Sequence, residues 1–315
     1  MSLEVKDLVK KYGDKTVVNH LSFTMEKPGV YALLGTNGAG KTTSIRMILN
    51  MLVKDGGEVL FNGEPLDTTK VDVGYLAEER GLYPKVSLMD QMTYFANLKN
   101  IKGKEAEKRI KYWAERLKLT EYFYPQPVGK KKAKPYNAEQ LSKGNQQKVQ
   151  LMSTLISDPD IIVLDEPLSG LDPVNANIFS EIIHEQAEKN KYILMSSHQM
   201  STIEEFCSDL TILNRGQVVL QGNLNEIKKS YGRVNLVIKT DSDCTALVNK
   251  HGLNIVETTP EFIKVKLTKE EDAAELLKDL VAEGVGVVRF ELTEPTLHEI
   301  FVEKVGNTEA VNEEE

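Results

Sequence analysis

An α/β fold is predicted for this 315-residue chain by three observations. The first is Gly35-Thr36-Asn37-Gly38-Ala39-Gly40-Lys41-Thr42-Thr43, which follows the apolar run Val30-Tyr31-Ala32-Leu33-Leu34 and opens a helical pattern. The second is a wholly apolar run, Ile161-Ile162-Val163-Leu164, closed by Asp165-Glu166-Pro167. A strand with no polar side belongs in a parallel sheet covered on both faces. The third is the alternation of strand and helix patterns along most of the chain. The glycine-rich segment reads as a P-loop, a holder of nucleotide phosphates. Its glycines let successive backbone N–H groups turn inward around phosphate oxygens, Lys41 reaches the β and γ positions, and the Thr42 hydroxyl can ligate Mg²⁺. Each residue from Gly35 to Thr43 is therefore a candidate nucleotide contact.

The elements follow in order. The first 24 residues pattern as strands around the turn Tyr12-Gly13-Asp14-Lys15, and a third strand feeds the P-loop and a helix from Lys41 to Met51. Strands are expected at Gly57–Gly63 and Val71–Leu76, then a helical block from Leu88 to Leu119, a further helix after Leu141, and the apolar strand. Beyond it come a helix over Asn175–Lys189, a strand over Tyr192–Met195, a short helix over Ser201–Cys207 and a hairpin through Asn214-Arg215-Gly216. From Gly232 the order becomes strand Val234–Ile238, helix Thr245–His251, strand Phe262–Leu267, helix Glu271–Glu283 and strand Val285–Leu292, which suggests a small ferredoxin-like or related α+β domain. One closing helix, Thr296–Val305, precedes an acidic end. The expected domains are residues 1–225, with a helical subdomain near 87–157, then 232–305, and an acidic tail over 306–315.

Composition narrows the functional classes. With 41% hydrophobic and 27% charged residues the chain has the balance of a soluble globular protein. No apolar stretch approaches the ~18 to 20 residues that cross a bilayer, and the N-terminus lacks the pattern of a secretory signal, so cytoplasmic residence is expected. Cys207 and Cys244 are the only cysteines, too few for a disulfide framework or a zinc cluster, and read as packing residues. A net charge of -8 argues against a nucleic-acid partner, which would call for a basic face. Lys130, Lys131, Lys132 and Lys134 form one basic loop among prolines and glycine.

The run ending in Asp165-Glu166 has the form of a Walker B strand. Asp165 at its end would hold Mg²⁺, and Glu166 beside the γ-phosphate would take the proton of the attacking water as general base. Upstream, Leu141-Ser142-Lys143-Gly144-Asn145-Gln146-Gln147-Lys148 opens a helix, where the Ser142 hydroxyl, the Gly144 N–H and the helix dipole can face a phosphate.

That octapeptide resembles the signature sequence of ATP-binding cassette (ABC) proteins. The resemblance implies a P-loop NTPase core with an antiparallel β subdomain and a helical signature subdomain, binding ATP and Mg²⁺. It further implies that Ser142, Gly144 and Asn145 contact the γ-phosphate held by a second subunit, so that two chains, a homodimer or a paralogous pair, close on two nucleotides. Tyr12 resembles the aromatic that stacks on adenine, Ser169-Gly170-Leu171-Asp172 the D-loop, and His198 the switch histidine that meets the γ-phosphate and orients water. Three features depart from the family pattern. Glu78 stands where a glutamine usually ligates the metal, Asn145 replaces a glutamine, and Lys143 replaces a glycine. The C-terminal Glu294-Pro295-Thr296-Leu297-His298-Glu299-Ile300-Phe301 resembles the extension of ATPase subunits that serve ABC-2-type exporters. The expected protein is thus the ATPase of a transporter whose membrane permease is a separate chain, peripheral on the inner face of the cell membrane. The competing expectation is a soluble cassette ATPase acting on ribosomes or nucleic acid. It is disfavoured by the acidic charge and by the lack of a second cassette or a long coiled-coil insertion.

Overall fold

A computed structural model describes residues 2–79, 81–127 and 135–312, so the lysines of the basic loop lie outside the described residues. The chain divides into two compact units, Met1–Gln221 and Gly222–Glu315.

The first unit is two sheets with a helix between them. Strand β1 (Leu3–Tyr12) turns back through Gly13 into β2 (Lys15–Met25), and β3 (Gly29–Gly35) runs into the P-loop and α1 (Lys41–Ile48). β4 (Gly56–Phe61) and β5 (Glu64–Pro65) complete an antiparallel sheet of order β2-β1-β4-β5. β6 (Val73–Leu76) leads to the helical region, with α2 (Leu88–Leu98), α3 (Gly103–Arg116), α4 (Thr120–Phe123) and α5 (Lys143–Leu155). The helical block expected over Leu88–Leu119 is thus two main helices, α2 and α3, parted at Asn100, whose left-handed φ of 60° an α-helix interior does not carry. Then follow β7 (Ile161–Asp165), α6 (Pro173–Glu188), β8 (Tyr192–Ser197), α7 (Met200–Ile203), β9 (Asp209–Asn214) and β10 (Gln217–Asn223).

The second sheet has the order β10-β9-β3-β8-β7-β6, with β9, β3, β8, β7 and β6 parallel. All five residues of β7 and all six of β8 are buried, as strands covered on both faces must be. Alternation along β3 sends Tyr31 and Leu33 into one core cluster with Ile45, Met47 and Ile48 of α1 and Leu3, Val5 and Leu8 of β1. Each such side chain contributes about 1.5 to 3 kcal/mol by leaving water. This cluster clamps α1 against the ends of β3 and β7, and so sets where Lys41 and Thr42 sit. Cys207 is buried in this unit, and burial pushes its thiol up to about 12, in keeping with a packing role.

The second unit begins with α8 (Leu224–Tyr231) and continues β11 (Asn235–Thr240), α9 (Thr245–Lys250), β12 (Asn254–Thr258), β13 (Ile263–Lys266), α10 (Glu270–Ala282), β14 (Val287–Thr293) and α11 (Leu297–Asn312). The observed β-α-β-β-α-β order adds β12, which sequence reading missed. In the sheet order β12-β13-β11-β14 it is an edge strand with mostly exposed residues, so it lacks the apolar alternation that marks a strand. α11 continues past Val305, where the closing helix was expected to end, to Asn312. Leu236, Val265, Leu276 and buried Cys244 belong to the core of this unit.

The Glu294–Phe301 motif has a structural account here. Thr296 and Glu299 cap α11 reciprocally: the Glu299 N–H donates to Thr296 Oγ1 at 3.2 Å and the Thr296 N–H to Glu299 Oε2 at 2.8 Å. Glu299 also accepts from Asn235 Nδ2 of β11 at 2.9 Å and from Lys264 Nζ of β13 at 2.5 Å. Burial works against its charge, but Lys264, the Thr296 N–H and Asn235 outweigh that and hold its carboxyl below the usual value of 4.5. A lowered carboxyl pKa stabilises the fold above the unfolded pKa, and the gain is lost as pH falls through the folded one. Glu299→Gln is therefore expected to cost about 1 to 2 kcal/mol at neutral pH, with the difference from the parent chain shrinking below pH 4.5. Urea titration of the full chain, read by amide exchange in β11 and β13, measures both numbers. A difference that stays constant down to pH 3 excludes the carboxylate as its source.

Candidate functional site

The P-loop takes its shape from close backbone approach. At Gly35, φ is 151°, and a Cβ would lie 2.3 Å from the Leu213 carbonyl oxygen of β9. At Gly40, φ is 104°, and a Cβ would lie 2.7 Å from the Val17 carbonyl oxygen of β2. Side chains are excluded at both positions, so the loop lies flush on two strands and its amides are left for a ligand. Asn37, Gly38, Gly40, Lys41, Thr42 and Thr43 line a pocket of about 290 Å³ with Val17, Glu78 and Glu166. Lys41 is buried and donates to the Gly35 and Thr36 carbonyl oxygens at 2.7 and 3.3 Å, which holds its ammonium under the loop.

Acidic groups face it from β7. Glu166, directly after the strand, has φ of 52°, a left-handed conformation that costs a non-glycine residue about 1 kcal/mol or more. The sharp turn brings its buried carboxylate to 3.3 Å from Lys41 Nζ through Oε1 and to 2.8 Å from His198 Nδ1 through Oε2. Oε1 has no hydrogen-bond partner, so its contact with Lys41 is one of charge alone. Asp165 is 1% exposed. Burial raises its carboxyl pKa, against the pull of Ser196, Thr42 and Lys41, and its Oδ2 has no hydrogen-bond partner. A buried carboxylate oxygen beside Thr42, which lines the phosphate pocket, fits a hard cation that takes its remaining ligands from phosphate and water.

Ser196 organises these acids and was missed at the sequence level. At the end of β8 its Oγ donates to Asp165 Oδ1 at 2.5 Å and accepts the Glu166 N–H at 3.0 Å. Its position two residues before His198 was the available signal; the β7–β8 pairing that sets Asp165 opposite Ser196 is a long-range fact.

The signature and D-loop residues stand apart from this pocket. Ser142 caps α5, accepting the Asn145 N–H at 3.3 Å, and Asn145 Nδ2 donates to Tyr122 Oη at 3.1 Å. Asp172 caps α6 by accepting the Asn175 N–H at 3.0 Å, which holds its carboxyl below the usual range. A Cβ at Gly144 would lie 2.7 Å from Asn175 Nδ2, so the N-termini of α5 and α6 are neighbours and the two motifs form one exposed surface. Gln147 Nε2 donates to the Pro167 carbonyl at 2.8 Å and fastens α5 to the segment after β7. Tyr12, at the exposed end of β1 with Lys10 Nζ 5.3 Å from its ring centre, is not among the residues lining the pocket.

A glycine-shaped loop and buried Lys41, facing two buried carboxylates at the end of a parallel strand, are the features of a P-loop nucleoside-triphosphate hydrolase. Within that class the chain belongs to the family of ABC transporter ATP-binding proteins, and it is an ATPase. It matches the ABC transporter family over residues 18–169 and the C-terminal domain of DrrA1-3-like ATP-binding proteins over residues 222–305. It is 40% identical to the uncharacterized ABC transporter ATP-binding protein YhaQ of Bacillus subtilis, over 96% of this chain and 98% of that one. It is 24% identical to the linearmycin resistance ATP-binding protein LnrL of the same organism, over 97% and 99% of the two chains. A solved ATP-binding subunit of an ABC transporter superposes with a TM-score of 0.64 at 29% identity, covering 74% of this chain and 94% of that one.

Proposed function

We propose that this ATPase powers export through a separate ABC-2-type permease, held at the cytoplasmic face of the membrane, and that two subunits close around two ATP molecules with Mg²⁺. The observation that carries the mechanism is the contact chain Lys41–Glu166–His198, with Glu166 Oε1 buried and unpartnered. The loop amides and Lys41 hold the β and γ phosphates. Glu166 takes the proton of the attacking water, and His198, its Nδ1 engaged by Glu166, orients that water and the γ-phosphate through Nε2. Tyr12 stacks on the adenine ring. Thr42, Asp165 and Glu78 would hold Mg²⁺, which when bound would withdraw charge from the phosphate oxygens.

Ser142, Gly144, Asn145 and Asp172 are assigned to the nucleotide of the other subunit. Their shared exposed surface at two helix N-termini, away from the pocket of their own chain, supports this reading. Export is supported by the DrrA1-3-like C-terminal match and by a relative named for resistance to linearmycin. A separate permease is supported by the described residues, in which no helix is long and apolar enough to cross a membrane. The test is isolation of the full chain, as Glu166→Gln with ATP and Mg²⁺, from detergent-solubilised membranes of its host. Co-purification of a multi-spanning membrane protein with two ATPase chains per complex is expected. Ribosomal proteins in its place, or a monomer under every nucleotide condition, overturn the reading.

A further inference from the structure

Besides the Asp165 and Glu166 oxygens, the site region has a third buried polar atom with no hydrogen-bond partner, the phenolic oxygen of Tyr75. Tyr75 lies on β6, which pairs in parallel with β7 so that Tyr75 stands opposite Val163. Side chains alternate along a strand, so Tyr75, Val163 and Asp165 share one face of the sheet, and Tyr75 packs against the core cluster that α1 joins. Groups of the nucleotide site converge on the phenol. Burial first, and then the negative charge of Asp165, raise its pKa and keep it a neutral donor; Glu78 adds to the rise, and Arg46 on α1 opposes it. Arg46 can only donate to the phenolic oxygen, so its approach leaves the phenolic proton without an acceptor.

Keeping an unpaired hydroxyl buried costs about 1 to 3 kcal/mol, and phenylalanine would fill the same space without that cost. The hydroxyl is an unused donor on the sheet face where Asp165 Oδ2 is an unused acceptor. We propose that Tyr75 is a positioning residue for the metal centre, its hydroxyl donating to Asp165 Oδ2 directly or through one bound water. Ser196 would then fix one oxygen of Asp165 and Tyr75 the other, so that the carboxylate meets the cation in a single orientation. Because β6 ends at Leu76, two residues before Glu78, the same phenol ties the metal centre to the loop that carries Glu78. Outer partners of this kind typically change metal affinity about 10- to 100-fold.

The inference rests on the proposed metal role of Asp165, and the experiment separates the two. Full-length Glu166→Gln protein, saturated with ATP, is titrated with Mn²⁺ and followed by electron paramagnetic resonance. Adding Tyr75→Phe is expected to weaken Mn²⁺ at least about 10-fold and alter its spectrum, with metal-free ATP affinity unchanged and the unfolding midpoint unchanged or raised. Adding Asp165→Asn instead is expected to weaken Mn²⁺ more severely. If Asp165→Asn weakens the metal and Tyr75→Phe leaves both affinity and spectrum unaltered, the assignment of Tyr75 is overturned. If Asp165→Asn has no effect, the metal reading fails and the role of Tyr75 falls with it.

Discussion

Replacing Glu166 with glutamine is expected to lower ATP turnover about 10³-fold while changing ATP affinity only a few-fold. The amide keeps the size of the side chain and its reach toward His198, but it cannot accept a proton from water. The carboxylate is placed for that transfer at some cost: it follows a left-handed backbone turn, is 6% exposed, and has one oxygen free of hydrogen bonds beside Lys41. Ground-state binding of ATP runs through the loop amides and Lys41, which the substitution leaves in place, so the loss should fall on kcat rather than on KM. Phosphate release under saturating ATP, paired with binding of a fluorescent ATP analogue, reads the two quantities separately. Hydrolysis at the parental rate would remove Glu166 from the role of base.

Gly35→Ala is expected to be the most damaging single added methyl in the P-loop. Its Cβ would meet the Leu213 carbonyl oxygen at 2.3 Å and the Ala39 side chain at 2.9 Å, and the carbonyl is held in the β3–β9 ladder. Backbone cannot rotate aside as the end of a flexible side chain can, so either β9 or the loop must shift. A cost of about 3 kcal/mol or more is expected, with ATP affinity down at least about 100-fold because the Gly35 carbonyl also anchors Lys41. Gly38→Ala supplies the contrast. Its φ of 81° is strained for alanine, yet nothing lies within 4 Å of the added carbon, so about 1 kcal/mol is expected. Thermal unfolding of the two variants side by side decides the matter, and equal losses would refute close approach as the reason for glycine at position 35.

Much of the core was legible because its devices are local. A P-loop needs glycine where φ is positive and lysine at a set distance along the chain; a strand buried on both faces needs an unbroken apolar run; both conditions are met within about ten residues. What was not legible depended on surroundings. Within the helical block from Leu88 to Leu119, helical periodicity does not show the break that the left-handed Asn100 makes between α2 and α3. β12 escaped because an edge strand buries little and therefore carries little pattern.

By itself, then, the order of residues determined the phosphate loop, the strand that ends in two acids, the capped helix of the signature and the alternation that makes an α/β core. Each depends on backbone preferences and side-chain periods that act between near neighbours. Only the tertiary structure decided that β8 lies between β3 and β7 and β6 beyond them. That order brings Ser196 under Asp165 and Glu166, sets His198 against Glu166, and puts Tyr75 on the Asp165 face. Strand adjacency of this kind is chosen by the burial of whole sheet faces against α1 and the opposing sheet, a sum over distant residues that no short stretch of chain records.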